Sequence, residues 1–329
     1  MRKFIDMHIR AFVFIFFLIS CGDTDEQVRK NLMVSANIAM GSGDCDKAIE
    51  LMTSIDKPSD DGEFLKILAL SYACKAKFNV TKFLTDDLQR FDDSGTFNGT
   101  TLFSTSDDVI SADDEDFTYL QLAMDTILYA GGLETDEEPT STKRGEIFSD
   151  DELNELEMLL VYLQLISMGR FFHYYGDANT DGEKTGCLIQ YENVSLDNGS
   201  SFGVVLGTGA VDLGSCTAVN YTSAGIGHED LGAPGSFNIK RLCHGAMIIN
   251  NFFHVFPSLL ARISGADFDN VASMENVLRL ITQFMETQKA GVSDKVSNVL
   301  SQARCETLNK DDDDFLQVYY LFLMEKVFL

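Results

Sequence analysis

SDDELNELEMLLVYLQLISMGRFFHYY, residues 149–175, decides the fold. Ser149 and Glu152 have the spacing of a capping box, so a helix starts here. From Leu156 to Met168 it is apolar on nearly every face. A helix with no polar side belongs at the centre of a bundle. The helix runs to about Tyr175, and its neighbours must supply the amphipathic faces that cover it.

On its C-terminal side comes Asp177-Ala178-Asn179-Thr180-Asp181-Gly182. This resembles the opening of the calcium loop of EF-hands. Oxygen ligands at the first, third and fifth positions converge on one ion, and Gly at the sixth permits the sharp turn. The resemblance implies a calcium ion held by Asp177, Asn179, Asp181, the Glu183 carbonyl and Thr185. The twelfth position is Leu188 rather than a bidentate Glu, so the loop is closer to the Asp/Asn-rich calcium loops outside that family, with Glu192 or Asp197 completing the shell. A structural ion is expected, because nothing marks a partner helix to be released. A plain Asx-rich turn accounts for the same residues.

Residues 186–238 change character. Gly, Ser, Asn and Asp dominate, with β-like pieces such as Ser201 to Leu206. A structureless stretch this long is expected to be functional or stapled, and a small hairpin fits. Beyond it the chain turns helical again. The pattern predicts helices over 239–256, ended or kinked by Pro257, over 273–288 and over 293–308. A final helix, 311–328, would dock Phe315, Leu316, Tyr319, Phe322 and Met324.

On the N-terminal side, Ser111 is expected to cap a helix to about Ala130. Asp113, Asp114, Glu115 and Asp116 crowd its first turn, where the macrodipole favours acids. Phe117, Leu120, Met124, Ile127 and Leu128 form its buried stripe. Acidic loops flank it at 92–112 and 133–148. The string Tyr-Leu-Gln-Leu occurs at 119–122 and again at 162–165, as helical repeats would have it.

Before this, Val28, Leu32, Ala36 and Ala39 recur at helical spacing. Gly41-Ser42-Gly43-Asp44 breaks the helix, and a second one places Ala48, Leu51 and Met52 inward. Leu32, Ala36, Ala39, Gly43, Ala48, Met52 and Pro58 fall at positions that resemble a tetratricopeptide repeat. Residues 64–73 and 80–91 would form a second helix pair. The resemblance spans residues 28–91 and implies a protein-binding helical surface. A generic αα-hairpin fits the same residues.

The chain opens with Arg2, Lys3 and Arg10, then the apolar run 11–19, then Leu18-Ile19-Ser20-Cys21. The run is too short for a permanent transmembrane helix and has the layout of a secretory signal. Its end resembles the bacterial lipobox. That resemblance implies removal of residues 1–20, acylation of Cys21, and a lipid-anchored tether at 21–27. Gly22 follows the cysteine where Asp would favour the inner membrane, so the outer membrane of a bacterial cell envelope is expected.

Export makes sense of the other cysteines, Cys45, Cys74, Cys187, Cys216, Cys243 and Cys305. An even number in an exported chain points to disulfides, with fifteen pairings open. Joining sequence neighbours is the simplest, Cys45–Cys74, Cys187–Cys216 and Cys243–Cys305. With 25 basic and 51 acidic residues the net charge is −26. Such a surface repels nucleic acid and suits cations or basic partners. No HExxH occurs, and His173, His228, His244 and His254 are scattered.

The expected fold is all-α. It is a helical-hairpin, repeat-like bundle with central helices and acidic loops over 92–185, one irregular insertion at 186–238, and C-terminal helices over 239–329. The expected role is non-enzymatic: an envelope lipoprotein that binds a protein partner as an accessory or assembly subunit. The alternative is a small-ligand-binding lipoprotein with a pocket between the central helix and the insertion.

Overall fold

In the computed structural model, residues 25–87, 89, 97–106, 111, 113–175, 228–233, 236–263, 279, 282, 283, 286, 287, 290–311, 315–317, 319 and 320 are described. The chain is all-α. Apart from a two-residue antiparallel ladder pairing Gly232 with Phe237 and Ala233 with Ser236, every regular element among them is helical. The chain forms two compact units, Met1–Lys57 and Pro58–Leu329.

The first unit contains α1 (Asp25–Gly41) and α2 (Cys45–Thr53), packed as a hairpin. The turn is made by Gly43 at φ +80°, a left-handed conformation natural to glycine. It lets the Asp44 N–H reach back to the Ala39 carbonyl at 2.9 Å. The Asp44 carboxylate then caps α2 by accepting from Lys47 N at 3.1 Å. The inward stripe of α1 is Met33, Ala36 and Ala39, while Val28 is exposed. Ala36 and Ala39 thus face inward as expected, while Met33 takes the place expected of Val28 and Leu32, against Ala48 and Met52, the buried residues of α2.

The second unit is built on α6 (Asp150–Tyr175). Its cap is reciprocal. Ser149 N and Oγ donate to Glu152 Oε2 at 3.1 and 2.6 Å, and the Glu152 N–H reaches Ser149 Oγ at 3.4 Å. Those bonds also hold the Glu152 carboxyl below its usual range. From Leu159 to Phe172 nearly every side chain is buried. Helices α3 (Gly62–Lys75) and α4 (Glu115–Leu128), a 3-10 segment at Phe97–Leu102 and α7 (Ile239–Ile263) pack on it. A short helix, α5 (Ser141–Gly145), lies ahead of it. Helix α8 (Gln302–Asn309) packs on α7. Tyr174 Oη donates to Asp230 Oδ2 at 2.8 Å, bringing the 3-10 turn His228–Leu231 to the end of α6.

Several boundaries differ from the sequence pattern. The cap of α4 is Asp114, not Ser111, its carboxylate accepting from Asp116 N at 2.9 Å. The expected helix from Val80 has α-geometry at Val80–Lys82 and passes into a π-helical turn at Phe83–Asp87. Pro257 does not end α7, which runs through it to Ile263. The proline forfeits one ladder bond, but Val255 and Leu259 on either side are buried and hold the helix in register. The expected helix over 293–308 is broken. Residues 293–298 form turns, and α8 starts only after Ser301, whose hydroxyl accepts from Arg304 N.

The break is explained by side chains of α7. Asn250 Nδ2 donates to the Val296 and Val299 carbonyls at 2.8 and 2.9 Å, and Asn251 Nδ2 donates to Leu300 O at 2.8 Å. Buried carbonyls outside a helix need such partners. Cys243 and Cys305 form a disulfide between α7 and α8. Cys45 and Cys74 are each in a disulfide.

Candidate functional site

Cys21, the ion-loop residues Asp177, Asn179, Asp181, Glu183 and Thr185, and Cys187 and Cys216 lie outside the described residues. Helix α6 ends at Tyr175, two positions before Asp177. Among the described residues no group of three His, Cys, Asp or Glu could hold a metal ion. No helix among them is long and apolar enough to cross a membrane.

Two places could carry function. One is the outward face of α1. Gln27, Asn31, Val34 and Ile38 share it at helical spacing. Val34 is 59% and Ile38 68% exposed, the two most exposed large aliphatics among the described residues. Gln27 Nε2 donates to Asn31 Oδ1 at 3.1 Å, so the polar end of the face is internally satisfied while the apolar end is not covered. The signal was present in the sequence as Val34 and Ile38 four apart. The competing periodicity of Val28, Leu32, Ala36 and Ala39 obscures it.

The other is the interior of the second unit, which holds more polar groups than its apolar pattern implies. Arg144 and Glu157 are fully buried and paired at 2.7 Å. Arg144 Nη1 also donates to the Pro139 carbonyl at 2.6 Å. Beside them, His254 Nε2 accepts from Ser141 N at 3.3 Å. Burial and the nearby Arg144 lower the His254 pKa, against a pull from Glu157. Arg170 donates to Thr105 O, Asp116 O and Ala76 O. The last of these is the C-cap carbonyl of α3, where a cation also suits the macrodipole.

A cavity of about 20 Å³ lies between α4, α6, α7 and the start of α8. Gln164, His244 and Asn251 line it together with Met124, Leu128 and Met247. Burial, helped by Arg241 and Lys240, takes the His244 pKa down to about 4, so the ring is neutral at pH 7. Tyr129, also on its wall, is pushed up to about 12, chiefly by burial.

A wider cleft of about 420 Å³ borders Glu138, Asn250, His254 and Tyr319. Its main polar groups are already engaged. Glu138 accepts from Leu300 N and Ser301 N at 2.6 and 3.1 Å and pairs with Arg304, and Tyr319 donates to Asn250 Oδ1 at 2.6 Å.

No family model matches the chain, and neither a curated protein nor a solved structure does.

Proposed function

We propose that the protein is a non-enzymatic lipoprotein of the bacterial cell envelope. It is anchored through acylated Cys21, in the outer membrane, and presents α1 to a protein partner as an accessory or assembly subunit. The observation that carries this reading is the uncovered Val34–Ile38 face on the helix that begins four residues after the lipobox cysteine. Exposed aliphatics at helical spacing are what a groove-binding or helix-packing partner uses as anchors. More than one acyl chain on Cys21 suffices for stable anchoring without a spanning helix. A structural calcium ion in the loop Asp177, Asn179, Asp181, Glu183 and Thr185 belongs to the same proposal.

The test uses the tagged full-length protein captured from gently solubilised native membranes. A stoichiometric companion is expected with the wild type. It is expected to be lost with Val34→Ser/Ile38→Ser while palmitate labelling of Cys21 is retained. Cys21→Ala should abolish labelling. A repeat with chelator reads the contribution of the ion loop. Recovery of the wild type alone, or a companion indifferent to the Val34/Ile38 change, overturns the interaction surface.

A further inference from the structure

The polar atoms on the cavity wall are mismatched to the protein around them. Gln164 is 1% and Asn251 3% exposed. Yet neither amide atom of Gln164, nor Asn251 Oδ1, nor His244 Nε2 has a hydrogen-bond partner in the protein. Buried polar groups are nearly always paired, so a cluster of orphans around one space is a specification for what fills it. All three side chains line the same cavity.

Their positions are set by other contacts. Asn251 Nδ2 is committed to Met247 O and Leu300 O at 2.9 and 2.8 Å, which leaves Oδ1 as the free acceptor. The His244 ring stacks on Phe171 with centroids 5.6 Å apart and meets Phe117 edge-on at 6.1 Å. Gln164 stands on the central helix α6, and His244 and Asn251 stand on α7. Helices α6 and α7, the two longest among the described residues, therefore face each other across these atoms.

The donor and acceptor count selects the occupant. Asn251 Oδ1 and Gln164 Oε1 need donors. Gln164 Nε2 needs an acceptor. A neutral imidazole nitrogen can be either. A metal cation would leave Gln164 Nε2 unpaired, and an anion would meet two amide oxygens and the nearby Asp125 on the wall. A molecule with two donors and two acceptors satisfies all of them. The volume of about 20 Å³ admits one molecule of water size.

We infer that this cavity is a binding site for a single water molecule, held by Gln164, His244 and Asn251, that bridges α6 to α7. The inference is independent of anchoring and of partner binding. A crystal structure of the full-length chain is expected to show one water peak within hydrogen-bond distance of Asn251 Oδ1 and of at least one Gln164 amide atom. Gln164→Leu is expected to remove that peak while the helical circular dichroism is unchanged. On the folded wild type, water-to-amide magnetisation transfer should report one long-lived water at α7, which makes the test independent of how the variant folds. Direct hydrogen bonds among the three side chains with no intervening density, or density for a larger guest, overturns the inference.

Discussion

Arg144 Nη2 donates to Glu157 Oε1 at 2.7 Å with both side chains at 0% exposure, so the interior of this bundle contains a complete ion pair. The pair joins α5 to the first half of α6, and Arg144 also donates to the Leu128 carbonyl, near the end of α4, at 3.3 Å. Removing one partner leaves the other charge buried and alone. Glu157→Leu or Arg144→Met should each lower stability by about 3–5 kcal/mol. The double replacement should lose clearly less than the sum, since no orphan charge remains. A double-mutant cycle from urea unfolding checks this, and additive losses would contradict it.

Cys243 and Cys305 close a loop of sequence separation 62. Cross-linking a loop of that length restricts the unfolded chain by about 4 kcal/mol in the chain-entropy model. Cys243→Ala/Cys305→Ala should lower the unfolding free energy by roughly that amount. A midpoint equal to wild type under oxidising conditions would show that the bridge adds nothing.

Two half-buried histidines, His244 and His254, make stability depend on pH. An unfolded imidazole takes up its proton near pH 6.5. In the fold, His244 does so only at about 4, and His254 is lowered as well. Below pH 6.5 the unfolded chain therefore binds more protons than the folded one. Stability is full above that pH and is lost as the pH falls towards 4. By pH 5 the His244 share is on the order of 2 kcal/mol. Urea midpoints at pH 7.5 and 5 should separate for the wild type and separate less for His244→Phe, where only His254 still contributes. Equal wild-type midpoints would refute the assignment.

At Gly169 the backbone of Thr100 comes close against α6. A Cβ there would lie 2.2 Å from the Thr100 carbonyl oxygen and 2.8 Å from Ser106 Oγ. The nearest obstacle is backbone and cannot rotate away. Gly169→Ala should destabilise by about 3 kcal/mol even though alanine is the better helix former. Thermal unfolding of the single variant decides it, and a rise in Tm would mean the 3-10 segment can retreat.

Much of the architecture was legible because its signals are local. The Ser149–Glu152 cap and the all-round apolar run predicted α6 with its start. The stripe Phe117, Leu120, Met124, Ile127 and Leu128 is buried as its spacing requires. The cap of α4 was misplaced, because Ser111 and Asp114 both suit that role and backbone geometry chose the latter. The break at residues 293–301 was invisible, since Asn250 and Asn251, which stabilise the non-helical carbonyls, are more than forty residues away in the chain. On α1, Ala36 and Ala39 are buried as their spacing predicts, but Met33 rather than Val28 completes the stripe. Only the geometry of a short partner helix determines which of them is covered.

By itself, the sequence determined the helical class, the central helix, the break over Gly41-Ser42-Gly43-Asp44 and a cysteine set suited to bridging. Each follows from periodicity, capping or residue chemistry within a few positions. The tertiary structure alone decided which polar residues went inside. Arg170 is buried because the carbonyls of Ala76, Thr105 and Asp116, separated from it by 94, 65 and 54 positions, converge on one guanidinium. Gln164 is buried because α4 and α7 close over it, and nothing in its neighbours along the chain distinguishes it from a solvated glutamine. Burial of a polar group depends on distant partners, and their arrangement is written only in the packed fold.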